Sequence, residues 1–444
     1  MEDYSFLFHI AIILISTKVL GLLTKRFQMP QVVGALLAGL ILGPAVLGIL
    51  QQTDFIAQVS ELGVIVLMFT AGLETDIKEL KKTGKASFVI ALLGVIVPLI
   101  GGFGLAFLFN TPAVTGQSVD ASKQLLQNIF IGVILTATSV SITVETLKEM
   151  GKLNTRAGNA ILGAAIIDDI LGIIALTIIT SMADPSVHIW LVLLKIAAFF
   201  VLAIGVGVLF YFLFNMWVKR YNKDMRRFVI VAFVFCLVLS FVAERYFGVA
   251  DITGAFIAGL IISNSPRTPY IASRFETVSY MLLSPVFFAS IGIKVSIPAM
   301  SVGIIVFSVL LVLIAIVTKI IGCGLGAKVC RFSNREALQI GAGMVSRGEV
   351  ALIVADKGIA VGLMPQPFLG PVVITVVLTT MLAPILLKLV FRSKQKNAPE
   401  QAEESSPSDL VQDYEKNKEF QEDVGASYSQ LLEESRSGQD TDLE

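Results

Sequence analysis

The sequence predicts an all-α polytopic membrane protein with 13 transmembrane helices, arranged as an inverted repeat with two broken crossover helices. Three observations predict it. The chain of 444 residues is 55% hydrophobic and only 15% charged, and its apolar runs repeatedly reach bilayer-spanning length. Its basic residues fall almost entirely on one side of those runs. Two blocks of sequence recur at a single offset.

The runs lie near 5–24, 30–50, 57–75, 86–109, 124–147, 154–181, 187–217, 226–243, 247–264, 274–293, 297–327, 335–357 and 367–391. The first starts acidic (Glu2, Asp3) and ends at Lys25-Arg26 without a cleavage signal, so no cleavable signal peptide is expected. The second is short and holds Pro30, Pro44 and four glycines. With the N-terminus outside, the cytoplasmic loops collect 23 basic residues and the outer loops four, Lys123, Arg245, Lys294 and Lys357. That bias sets the orientation: an odd number of spans, N-terminus out and C-terminus cytoplasmic.

The block Gly34-Ala35-Leu36-Leu37-Ala38-Gly39-Leu40-Ile41 recurs as Gly254-Ala255-Phe256-Ile257-Ala258-Gly259-Leu260-Ile261, an offset of 220. At the same offset Phe69–Glu74 faces Ala289–Lys294. Two matches at one offset indicate duplication. Matching spans are seven apart, an odd number, so the halves are inverted, spans 1–6 against 8–13 with span 7 between. Inverted halves bracketing a midplane site are the architecture of secondary transporters.

In such proteins the site is built from interrupted helices. Span 5 clusters Thr136, Thr138, Ser139, Ser141 and Thr143, hydroxyls that can take over backbone hydrogen bonds where a helix unwinds. Span 12 places Gly348 beside Arg347 and Glu349, poor continuous helix in lipid. Span 6 carries two adjacent carboxylates, Asp168 and Asp169, with apolar sequence on both sides. An intramembrane carboxylate is costly and marks a functional site, here one that handles a cation or proton. The remaining basic residues in spans are Lys18, Lys195 and Lys319; the first two read as structural. His9 and His188 flank helices, and Cys236, Cys323 and Cys330 show no metal-ligand spacing. No phosphate-binding loop or hydrolase or metalloprotease motif argues for an enzyme, and no cofactor is implied.

Residues 397–444 hold 14 acidic and 3 basic residues. This weakly apolar tail reads as disordered and cytoplasmic, with Tyr428–Leu432 as an amphipathic stretch that can dock a regulatory protein or ligand. Nothing suggests nucleic-acid binding.

Four stretches carry a resemblance: T-A-T-S-V-S-I-T-V-E-T-L-K-E at 136–149, A-I-I-D-D-I-L-G-I at 165–173, T-K-I-I-G-C-G-L-G-A at 318–327 and M-V-S-R-G-E-V-A-L-I at 344–353. In order and spread over both halves, they resemble the cation:proton antiporter-2 family, specifically its sodium/proton antiporters of the NapA type. The resemblance covers nearly all of residues 1–392. It implies the NhaA/NapA-like fold, a homodimer in the cell membrane and an elevator-like mechanism. It maps dimerisation helices to 1–83 and 223–295, core helices to 84–182 and 296–392, a linker helix to 183–222 and the tail to 393–444. It makes Asp169 the main ligand of transported sodium, pairs Asp168 with Lys319, puts Thr138 and Ser139 beside the site, and matches Arg347 and Glu349 to the charged pair of the second crossover.

The function so implied is exchange of a monovalent cation for protons, with sodium as first choice over lithium or potassium. If cation binding releases a proton from Lys319 as well as from Asp169, exchange is electrogenic. The alternative is a regulated potassium/proton antiporter or potassium efflux system controlled through the tail or a separate subunit. No dinucleotide fingerprint follows the membrane part, and no channel-type ring of carbonyls or charges is visible.

Overall fold

The computed structural model describes residues 5–26, 29–115, 120–183, 189–220, 225–295 and 300–392. All regular structure among them is helical: α1 (Ser5–Arg26), α2 (Gln31–Leu42), α3 (Asp54–Glu74), α4 (Ile77–Phe109), α5 (Pro112–Thr115), α6 (Ala121–Ile134), α7 (Val140–Glu149), α8 (Arg156–Ala183), α9 (Ile189–Arg220), α10 (Met225–Val242), α11 (Asp251–Ile262), α12 (Thr268–Val278), α13 (Ser284–Ile293), α14 (Val302–Val329), α15 (Asn334–Gly343), α16 (Glu349–Ala360) and α17 (Leu369–Phe391). A π-helical segment, Ala243–Phe247, extends α10, and another, Ser279–Leu283, joins α12 to α13. Nine helical stretches among the described residues are long and apolar enough to cross a membrane; α2 and α11 are shorter apolar helices. The acidic tail and His188 lie outside the described residues.

Helix starts follow ordinary capping chemistry. The Thr53 hydroxyl accepts from the Ile56 amide to open α3, and Ser333 with Glu336 forms a capping box on α15. The fourth predicted span begins earlier than its apolar run. α4 starts at Ile77, capped by Asp76, because the lysine-rich stretch before residue 86 continues the helix beyond the apolar part. The tenth span also starts earlier, at Thr268.

Packing reproduces the duplicated blocks. α2 lies on α13 at Gly39 and Gly292, where a Cβ on either would collide with the other helix's backbone. α3 lies on α11 at Gly72 and Gly259 in the same way. These four glycines are the repeat-equivalent positions, so the two crossings are counterparts of each other. Small residues are what lets helix backbones approach this closely in a membrane.

A second set of helices packs about α4, which contacts α6, α8 and α14, while α14 also contacts α15 and α17. Phe130, Phe307 and Phe368 fill one core here, with Phe307 and Phe368 stacked at 4.2 Å. Phe69, Phe256 and Phe275 are buried in the other. Large apolar side chains such as Trp190, Val201 and Phe212 on α9 are exposed, as expected for a helix that faces lipid.

Candidate functional site

Two interruptions build the site. α6 ends at Ile134 and α7 starts at Val140; α15 ends at Gly343 and α16 starts at Glu349. The unwound segments meet. The Ser139 amide donates to the Ser346 carbonyl at 2.8 Å, and the Ser346 hydroxyl donates to the Ser139 carbonyl at 2.7 Å. The Thr143 hydroxyl reaches the Gly343 carbonyl at 2.7 Å and lies 2.9 Å from the Ser346 hydroxyl. Gly348 is required by proximity, because a Cβ there would fall 2.8 Å from the Ser139 hydroxyl oxygen. The Thr380 hydroxyl of α17 donates to the Arg347 carbonyl.

The carbonyl ends of α6 and α15 carry partial negative charge near this crossing, and the amide ends of α7 and α16 carry partial positive charge. Arg347 answers the first. Its guanidinium is fully buried and donates to the Ala137 carbonyl in the other interruption at 2.7 Å and to the Ala315 carbonyl of α14 at 3.2 Å. Glu349 opens α16, but its side chain lies outside the described residues.

The two aspartates sit in the middle of α8. Asp168 is buried and forms an ion pair with Lys319 of α14, whose ammonium lies 2.9 Å from Oδ1 and 3.2 Å from Oδ2. The same ammonium donates to the Gly94 carbonyl and the Thr136 carbonyl, each at 2.9 Å. Lys319 is 0% exposed, so these oxygens replace water around it. A buried charge persists only where it is paired and hydrogen-bonded, and this one has both. The Thr138 hydroxyl also bonds to Asp168.

Asp169 is half-buried and, with Asp168, lines a cavity of about 670 Å³. Thr136, Ala137 and Gly172 line it too, as do Ser60, Glu61, Asp251 and Ser290. Ser60 and Ser290 bond to each other at 2.6 Å. A cavity, two carboxylates, a lysine and several backbone oxygens together suit a small cation that competes with protons.

The far end of α7 is closed. Lys148 pairs with Glu74 at 2.8 Å, and Glu149 accepts the Gln31 amide at 2.8 and 2.9 Å, capping α2. Ser60 and Glu74 are both on α3, about 20 Å apart at the helical rise. The cavity and this closure therefore lie toward opposite ends of the same helix. A smaller cavity of about 230 Å³, lined by Lys18, Glu145 and Tyr280 among others, lies at the closed end. Lys18 stacks on Tyr280 at 3.2 Å, a structural contact.

The structure thus brings Asp168, Asp169, Lys319 and Thr138 together, with Ser139 and Arg347 at the adjoining crossing. Sequence reasoning missed the Gly94 and Thr136 carbonyls and Thr380. Carbonyls leave no mark in a sequence; Ser346 lay in view beside Arg347.

Comparison with known proteins bears on the family and the fold. Residues 11–393 match the family described as sodium/hydrogen exchanger, transmembrane. The chain is 39% identical over 403 residues to the Na(+)/H(+)-K(+) antiporter GerN of Bacillus cereus, covering 89% of this chain and 98% of that one. It is 36% identical over 390 residues to a Na(+)/H(+) antiporter of Enterococcus hirae, covering 85% and 96%. The fold is similar to that of the sodium proton antiporter MjNhaP1 of Methanocaldococcus jannaschii, with a TM-score of 0.65 and 18% identity, covering 90% of this chain and all of that one. The protein is a multi-helix membrane transporter. It belongs to the sodium/hydrogen exchanger family.

Proposed function

We propose that this protein exchanges a monovalent cation, sodium first, for protons across the cell membrane, with Asp169 as the main cation ligand and Asp168 and Lys319 completing the site. The observation that carries the reading is the buried Asp168–Lys319 ion pair beside Asp169, which lines the large cavity. Sodium reaching Asp169 displaces its proton. If the cation also takes over Asp168, Lys319 loses its counter-charge and releases a second proton to the cavity. Two protons against one cation make exchange electrogenic.

The topology proposed is 13 spans, with α6–α7 and α15–α16 each counted as one interrupted span, the N-terminus outside and the C-terminus cytoplasmic. The elevator reading assigns residues 1–83 and 223–295 to a dimerisation scaffold and 84–182 and 296–392 to a moving core, linked by 183–222. The two sets of packed helices support it, as does the repeat-related pairing of α2 with α13 and α11 with α3. The large cavity then opens outward, and the Lys148–Glu74 and Glu149–Gln31 contacts close the cytoplasmic side. A homodimer and a regulatory role for the tail complete the proposal. Potassium is the second candidate cation, because the Bacillus cereus relative is named for both ions.

The test is reconstitution into proteoliposomes with an internal pH dye. Sodium, lithium and potassium are added at zero and at imposed membrane potential. Saturable cation-driven proton flux supports exchange; conduction without proton counterflow refutes it.

A further inference from the structure

We propose that Pro98 is a positioning residue of the exchange site, acting by leaving the Gly94 carbonyl without a helical donor so that this oxygen holds the Lys319 ammonium. α4 runs unbroken from Ile77 to Phe109 with Pro98 inside it. In an α-helix the carbonyl of residue 94 accepts the amide N–H of residue 98. Proline has no such N–H, so the Gly94 oxygen is left over. Within a membrane a leftover carbonyl must find another donor. Here the donor is Lys319 Nζ at 2.9 Å, reaching from α14.

Position 94 makes room for that contact. A Cβ on Gly94 would lie 2.5 Å from the Cys323 sulfur, one turn beyond Lys319, and within 4 Å of both Lys319 Nζ and Asp168 Oδ1. Gly94 therefore supplies the acceptor and the space, and Pro98 keeps the acceptor open. The charged or titratable groups around the ammonium are Asp168, with Asp169 beside it on α8, Arg347 from the second interruption, and Cys323 on its own helix. α4 contributes none, since residues 86–109 contain no charged side chain. The Gly94 and Thr136 oxygens are thus the neutral part of the lysine's surroundings, and Pro98 controls one of them.

Replacing Pro98 by alanine introduces an amide N–H that competes with Lys319 for the one carbonyl. Alanine is the better helix former, so the change does not threaten the helix itself. The effect is on how strongly the charged lysine is held. The inference rests on the proposed role of Lys319 in exchange, and the experiment separates the two.

Full-length wild type, Pro98→Ala, Lys319→Gln and the double variant are reconstituted, and sodium-driven proton flux is followed over a pH series at clamped potentials. Pro98→Ala is expected to displace the pH profile of sodium-driven exchange from that of wild type, because the ammonium has to share one of its backbone acceptors. In the Lys319→Gln background the same substitution is expected to add no shift. A wild-type pH profile in Pro98→Ala overturns the proposal, as does an equal shift with and without Lys319, which would be a helix-shape effect. If Lys319→Gln changes the profile and Pro98→Ala does not, only the positioning role falls. If Lys319→Gln itself leaves flux, pH profile and response to potential unchanged, the role of Lys319 falls and this proposal with it.

Discussion

Ser139 and Ser346, 207 residues apart in the chain, satisfy each other's backbone at the crossing. Each interruption gives up helical hydrogen bonds, and the two recover part of them from one another, as unwound backbone at membrane depth must. The crossing therefore behaves as one braced unit rather than as two loose ends. Asp168 is tied to it through Thr138 and, by way of Lys319, through Thr136.

Ser346→Ala removes the hydroxyl that donates to the Ser139 carbonyl and contacts Thr143. The cost should be about 1–3 kcal/mol, that of leaving a buried carbonyl unpaired. The melting temperature in detergent is expected to fall and the exchange rate to drop several-fold, whereas Thr143→Ser, which keeps its hydroxyl, stays close to wild type. Unchanged melting and flux in Ser346→Ala would mean the crossing does not depend on this brace.

In Lys319→Gln, Asp168 loses its ion partner and the site loses one positive charge. Breaking a buried pair from one side costs about 3–5 kcal/mol if the carboxylate stays charged, and less once it takes up a proton. Residual exchange should approach one proton per cation and lose most of its response to voltage, which acts at about 2.3 kcal/mol per charge per 100 mV. Flux measured at several clamped potentials decides. An unchanged voltage dependence would leave the two aspartates alone to carry the charge.

Removal of residues 397–444 is expected to preserve basal exchange and to alter at most its regulation or pH dependence. The basis is the switch from apolar spans to a tail holding 14 acidic and 3 basic residues. Loss of all flux from a truncated protein that inserts normally would show the tail to be part of the transport machinery.

Much of the site was legible because charge is rare in apolar sequence. Asp168, Asp169, Lys319 and Arg347 each interrupt a hydrophobic run, and each lies at or beside the site. The glycines of the repeat were legible for a similar reason, since Gly39, Gly72, Gly259 and Gly292 recur at one offset and do meet at helix crossings. What stayed hidden belongs to the backbone or to long-range pairing. The Gly94 and Thr136 carbonyls look like any others in a sequence, although Pro98 marks the first in retrospect. The capping of α2 by Glu149 joins residues 118 positions apart with no shared motif. The start of α4 was obscured because Lys78, Lys81, Lys82 and Lys85 end the apolar run without ending the helix.

The central claim is that Asp169 is where cation and proton compete. Asp169→Asn keeps the size of the side chain and removes its charge, so a folded protein is expected, with the same melting behaviour and elution volume as wild type. The deciding measurement is sodium-driven proton flux in proteoliposomes, wild type against this variant at matched protein density. The account predicts flux at the level of empty liposomes across the whole pH series. Near-normal flux from the variant would contradict it and would move the exchange site away from the aspartate pair.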